Sequence, residues 1–197
     1  QRQMCIRDST KSLVHPYVPR FPRHVSYDLV LFGSWRRKGV YVGEKQIASP
    51  GSYPVAGFNF APMYNLNYKL RFGVSLDGVY DGSANVYTED ALVEYDAGSG
   101  SSRRKFLVPG IQNQLALGLS GRAEYVMPFF TIGVGLGTNV LGRGDLRGLY
   151  QVFALKINVT RSSFLHIGYN LQDFQTPNYL MLGLGFRFNN KYPKVRH

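Results

Sequence analysis

From residue 68 to residue 81 oily and polar side chains take turns. Tyr68, Leu70, Phe72, Val74, Leu76 and Tyr80 alternate with Lys69, Arg71, Gly73, Ser75, Asp77 and Asp81. A period of two places the two sets on opposite faces of an extended strand. The run is long, its oily face carries aromatics at both ends, and its other face carries charges in the middle, which favours a strand crossing a bilayer over the half-buried strand of a soluble sandwich. The rhythm recurs in Val25, Tyr27, Leu29, Leu31 and Trp35 of segment 24–36, and in Phe58, Phe60, Tyr64 and Leu66 of segment 53–66. A fourth strand sets Leu115, Leu117, Leu119, Ala123 and Tyr125 against Gln114, Ser120, Arg122 and Glu124; a fifth sets Phe130, Ile132, Val134 and Leu136 against Thr131 and glycines. In a sixth, Phe153, Leu155, Ile157 and Val159 oppose Tyr150, Lys156 and Asn158. In a seventh, Leu165, Ile167, Tyr169 and Leu171 oppose His166, Asn170 and Gln172. The eighth sets Leu180, Leu182, Leu184, Phe186 and Phe188 against Met181 and Arg187.

The connections follow a rule of their own. Long segments, 37–52, 82–110 and 139–147, alternate with tight turns near Asn67, at Met127-Pro128 and at Thr160-Arg161, and only Phe174 to Pro177 is a short outer loop. Short periplasmic turns and longer external loops are the habit of outer-membrane barrels. This reading puts both termini in the periplasm and the strand tops at Arg36, Asp81, Thr138 and Asp173. An all-β, eight-stranded, antiparallel up-and-down transmembrane barrel is therefore expected. Closure satisfies every backbone N–H and C=O in hydrocarbon, which an open sheet cannot do.

Helical alternatives find no support. No stretch approaches the roughly 18 uninterrupted apolar residues of a membrane helix, and no capped 3.6-residue pattern is sustained. The 14 tyrosines, 13 phenylalanines and 22 glycines suit strands with aromatic girdles. The opening residues 1–9 read unlike the rest: Met4-Cys5-Ile6-Arg7-Asp8-Ser9 resembles the translation of a sequencing-library adapter. The expected organisation is thus an artefactual 1–9, a tail 10–23, a barrel 24–190 and a tail 191–197. Without Cys5, the single cysteine, there is no thiol to form a disulfide, bind metal or act as nucleophile.

Inward-facing Arg71, Asp77, Arg122, Glu124, Lys156, His166 and Arg187 would share a lumen too narrow for an open channel, and are expected to pair into a polar plug. His166, with Ser163 three residues before it, would sit near the inner end and serve as a buried structural histidine rather than a base. Gly133, Gly135 and Gly137 read as packing glycines, since no helix follows them to form a phosphate cradle. The formal charge of +11 gathers in Arg36, Arg37 and Lys38, in Arg103, Arg104 and Lys105, and in Arg143 and Arg147, all at the proposed external end. These are candidate contacts for lipid A phosphates, with solvated loop charge as the equal alternative. Nucleic acid is a poor competitor, because the cations are spread over separate loops with no presenting helix.

Several stretches resemble the lipid A 3-O-deacylase family, in particular its acyloxyacyl-hydrolase-like members from Bacteroidota. They are Gly78-Val79-Tyr80-Asp81-Gly82-Ser83, Arg147-Gly148-Leu149-Tyr150-Gln151, and the C-terminal run Ile167-Gly168-Tyr169-Asn170, Asp173-Phe174 and Pro177 to Phe188. The resemblance spans most of residues 25–190. It implies an eight-stranded outer-membrane barrel of a Gram-negative bacterium, hydrolysis of an acyl ester of lipopolysaccharide without cofactor or metal, and lipid as the partner. The family carries a His-x-Ser-Asn motif before a Pro-Asn pair, with a Glu completing a triad. Aligned on Pro177-Asn178, the His position here is Gly168 and the Ser position Asn170, so no catalytic residue is carried over. The alternative is a non-catalytic barrel with a structural, lipid-binding or surface role; a soluble lipocalin-like barrel is a third. Oligomeric state is not written in these residues.

Overall fold

A computed structural model describes residues 20–36, 39–42, 45–48, 52–85, 87–95, 102–107, 110–142, 146–174 and 176–192. In chain order its strands are β1 (His24–Arg36), β2 (Gly39–Val42), β3 (Lys45–Ala48), β4 (Tyr53–Asn65), β5 (Leu70–Asp81), β6 (Tyr87–Tyr95), β7 (Ser102–Leu107), β8 (Leu115–Val126), β9 (Phe130–Leu141), β10 (Leu149–Asn158), β11 (Ser163–Gln172) and β12 (Thr176–Phe188). Eight of them close into an antiparallel barrel in the order β1-β12-β11-β10-β9-β8-β5-β4. Each is bonded to its barrel neighbours in sequence, and β12 returns to β1 with Tyr27 opposite Phe188 and Gly33 opposite Leu182. The expected eight-stranded up-and-down barrel is the one found.

Accessibility is inverted relative to a protein dissolved in water. Phe72 and Leu182 are 49% and 51% exposed, whereas Arg71 and Lys156 are 1% and 2% exposed. Along β1 the residues alternate strictly, His24, Ser26, Asp28, Val30, Phe32 and Ser34 inward and Val25, Tyr27, Leu31 and Trp35 outward. An oily exterior this extensive would be costly to hydrate, and hydrocarbon around it removes that cost. The molecule is a transmembrane β-barrel.

The tight turns at one end are built by side chains. The Asn67 carboxamide oxygen accepts from the backbone N–H of Lys69 at 2.9 Å and Leu70 at 2.7 Å, and the Thr160 hydroxyl accepts from the N–H of Ser162 and Ser163. The Asn67 turn is why the third barrel strand starts at Leu70 and not at Tyr68. At this end Phe21 packs its ring against His24, Tyr68 and Tyr192, flooring the barrel.

Two features at the other end differ from expectation. The first two long connections contain hairpins, β2 with β3 and β6 with β7; four-residue strands such as β2 and β3 are too short to show a readable alternation. The fifth barrel strand continues to Leu141, three residues past the expected top at Thr138. β8 continues alongside and supplies partners, with Gly118 opposite Asn139 and Leu117 opposite Leu141 across a bulge.

Candidate functional site

The interior holds two tiers of charge. In the lower tier Asp28 accepts from Lys156 Nζ at 2.8 Å, Arg71 Nη2 at 3.0 Å and Arg187 Nε at 2.9 Å. Glu124 accepts from Arg71 Nε at 2.6 Å, contacts Arg71 Nη2 as well, and meets Lys156 Nζ at 2.7 Å. Three cations therefore face two carboxylates. The surplus is eased by the Phe164 ring, which Lys156 Nζ and the Arg187 guanidinium approach to 5.0 and 5.2 Å. Gly185 makes this possible: a side chain there would collide with the Phe164 ring, so the small residue on β12 admits the large one from β11.

In the upper tier one carboxylate gathers neutral donors. Asp77 accepts from Ser75, Asn59, Ser120 and Tyr150 at 2.6, 2.8, 2.7 and 2.7 Å, and from Arg122 Nη2 at 2.8 Å. Above it Phe32, Val152, Tyr179 and Met181 pack as a small oily cluster. The space left between is about 30 Å³, room for a water molecule or two and no more. All seven expected lumen residues are inside, and the charged ones are paired. Asp28, which holds the lower tier together, was not among them, although the alternation of its neighbours Tyr27 and Leu29 already pointed it inward.

With the lumen filled, any chemistry on a lipid belongs to the outer wall. His166 is buried inside, and neither ring nitrogen has a hydrogen-bond partner among the described residues. Gly168 and Asn170, at the positions where the resemblance would put a base and a nucleophile, also point inward. A Cβ on Gly168 would lie 2.8 Å from His166 Nε2 and 2.7 Å from Met181 Cε, so glycine here makes room for the histidine. Side chains of Pro177 and Asn178 lie outside the described residues.

Of the eight candidate phosphate contacts, Arg36 and Arg147 have described side chains; Arg37, Lys38, Arg103, Arg104, Lys105 and Arg143 fall outside. Arg36 donates from Nη1 to Asp81 Oδ2 at 2.9 Å across the rim. Arg147 is exposed on the approach to β10, and β10 is not a neighbour of β1, which ends at Arg36.

Beside Arg147 the wall has a built corner. Gly148 enters β10 at φ +128°, a conformation that side chains rarely adopt. Gln172 Nε2 donates to the Arg147 carbonyl at 3.1 Å, the Asp173 N–H to the Leu149 carbonyl at 3.1 Å, and the Phe174 N–H to Gln151 Oε1 at 2.9 Å. Asp173 and Phe174 both take positive φ, 50° and 59°. The short loop after β11 is thus folded down onto the start of β10, laying the exposed Phe174 ring beside Gln151. No signal in the sequence announces this contact, apart from a glutamine at an outward-facing position between Leu149 and Phe153.

The model of the acyloxyacyl hydrolase C-terminal domain matches residues 25–190. No curated protein matches the sequence. Among solved structures, the attachment invasion locus protein Ail of Yersinia pestis is similar at 13% identity and a TM-score of 0.43. The same protein in complex with the heparin analogue sucrose octasulfate is similar at 14% and 0.40. Both alignments cover 85% of this chain and 100% of the other. With a family match that takes in nearly the whole barrel, the chain belongs to the acyloxyacyl hydrolase C-terminal domain family.

Proposed function

We propose that this barrel resides in the outer membrane of a Gram-negative cell and engages the lipid A of lipopolysaccharide at its outer end, binding it without cleaving an acyl ester. The observation that carries the reading is the direction of Gly168 and Asn170. They supply neither a base nor a nucleophile, and they face a packed interior that lipid does not enter. A fold hosts its family's chemistry only when the reacting groups are in place. Of the basic residues, Arg147 is the best placed to meet a lipid phosphate, because Arg36 is already paired with Asp81; Arg37, Lys38, Arg103, Arg104, Lys105 and Arg143 would add to it from the loops. No cofactor or metal is required.

Acyl-ester hydrolysis is the second reading, favoured by the family match over residues 25–190. Mass spectrometry of lipid A from cells with and without the gene separates the two. The binding reading expects identical acylation, and a gene-dependent loss of one acyl chain would replace it with the enzymatic one. Fractionation tests the location: the protein should follow outer membranes and leave them only with detergent, whereas extraction in plain buffer would revive the lipocalin-like alternative.

A further inference from the structure

The chain's excess of positive charge does not sit where its basic clusters stand. Beyond the strand tops, segments 36–52, 81–110, 138–149 and 173–175 hold nine Lys and Arg against eight Asp and Glu, and are close to neutral. The lumen sets Arg71, Arg122, Lys156 and Arg187 against Asp28, Asp77 and Glu124. The excess is at the other end. Arg20 and Arg23 before β1, Lys69 in the β4–β5 turn, Arg161 in the β10–β11 turn and Lys191 after β12 are all exposed, and the described residues at that end include no Asp or Glu. None of the five forms an ion pair among the described residues.

The fold gathers these cations around an aromatic floor. The ring of Phe21 lies 5.7, 4.8 and 5.0 Å, centroid to centroid, from those of His24, Tyr68 and Tyr192. Arg20, Arg23, Lys69 and Lys191 are the immediate chain neighbours of these four residues, so the Cα of each stands about 3.8 Å from a Cα of the floor. The fifth cation is tied in through the tail: Arg161 Nη2 donates to the Tyr192 carbonyl at 2.8 Å, and the Asn190 side-chain amide donates to the Arg161 carbonyl at 2.9 Å. Like charges gathered on one small surface repel one another, and with no carboxylate beside them the relief comes from anions outside the chain. The depth of the collar says which anions are at hand. Tyr68 is 37% exposed and Phe129, in the β8–β9 turn at the same end, is 79% exposed; exposed aromatics at the strand ends of a membrane barrel mark the level of the lipid headgroups.

We propose that this basic collar is a binding surface for the phosphates of anionic phospholipids, of the phosphatidylglycerol kind, in the inner leaflet of the membrane. The phosphates take the place of the carboxylates that the chain does not supply, Arg20, Arg23 and Arg161 offering paired N–H donors and Lys69 and Lys191 point charges. The surface faces the periplasm, so it rests on the outer-membrane placement proposed above and not on lipid A binding at the outer end.

Spin-labelled phospholipids test it, with the barrel reconstituted in phosphatidylcholine vesicles and lipid association read by electron spin resonance. These vesicles hold no lipopolysaccharide, so the outcome is independent of lipid A binding. At low salt, labelled phosphatidylglycerol should associate with the barrel in preference to labelled phosphatidylethanolamine. The preference should fade at about 1 M salt, where the screening length shrinks to roughly 3 Å. Lys69→Gln and Lys191→Gln should each lower it by up to about 5-fold, the worth of one cation at an anionic surface, and the two changes together should lower it further. Lys45→Gln, on β3 at the outer end, should leave it as it was, and the faster gel migration of unheated, folded barrel shows that each variant is intact. Equal association of the two phospholipids with the unaltered barrel, or a preference untouched by salt or by the paired changes, would overturn the site. Binding of the detergent-solubilised barrel to insoluble cell wall, lost in the paired variant and unaccompanied by a preference for phosphatidylglycerol, would overturn it too and give the collar to the carboxylates of the wall.

Discussion

The two faces of the barrel wall solve opposite problems with the same strands. Inside, Asp28, Asp77 and Glu124 are each met by cations at hydrogen-bonding distance. Outside, the described residues of the hydrocarbon belt are oily, and Gln151 at its upper edge is left with an open donor. A side chain stays charged wherever partners surround it, and in this molecule the partners are in the middle. The difference lies in what is matched: inside, every one of these carboxylates is met, although Arg71 Nη1 and both His166 nitrogens have no partner among the described residues, while on the outward face of the strands Gln151 Nε2 is the described buried side-chain atom left without one.

That contrast can be broken from within. Asp28→Ala removes the acceptor shared by Arg71, Lys156 and Arg187 and leaves three buried cations to one carboxylate, so a loss of about 3–5 kcal/mol is expected. Urea unfolding of the barrel refolded in lipid vesicles measures it; a loss under about 1 kcal/mol would mean that the lower tier is idle. It can also be broken from without. Leu182→Arg puts a charge among lipid tails near mid-barrel, with an expected cost of about 2–4 kcal/mol in the same assay, falling toward zero if that face meets water instead. Asp77→Asn sharpens the contrast between tiers. The remaining oxygen can keep Ser75, Asn59 and Arg122, and the Ser120 and Tyr150 hydroxyls at the other position can turn to accept from the new NH2, so about 1.5–3 kcal/mol should be lost, less than at Asp28. A larger loss at Asp77 would reverse the ranking of the tiers.

The barrel was legible because every strand repeats one bit of information, oily out and polar in, and a period of two survives a few glycines. β1 begins and ends at the residues the alternation marks, His24 and Arg36. What stayed hidden depends on distance along the chain. Asp28 meets Lys156 and Arg187 from 128 and 159 residues away, and nothing local to any of the three tells which cation goes to which carboxylate. The corner at Gln151 was hidden for a different reason. It depends on two consecutive left-handed residues, Asp173 and Phe174, neither of them a glycine whose presence would have flagged the bend. The family's motif positions were legible as letters; that Gly168 exists to seat His166 became visible only with the packing around it.

Closure of β1 on β12 also orders events in time. Tyr27 finds Phe188, and Leu31 finds Leu184, only after the other seven barrel strands have been made. Until the last strand arrives, the first presents a bare row of amides that any passing strand could seize. Closure therefore waits for the end of synthesis: a stop codon anywhere before β12 yields a product whose first strand has no partner and no way to seal itself.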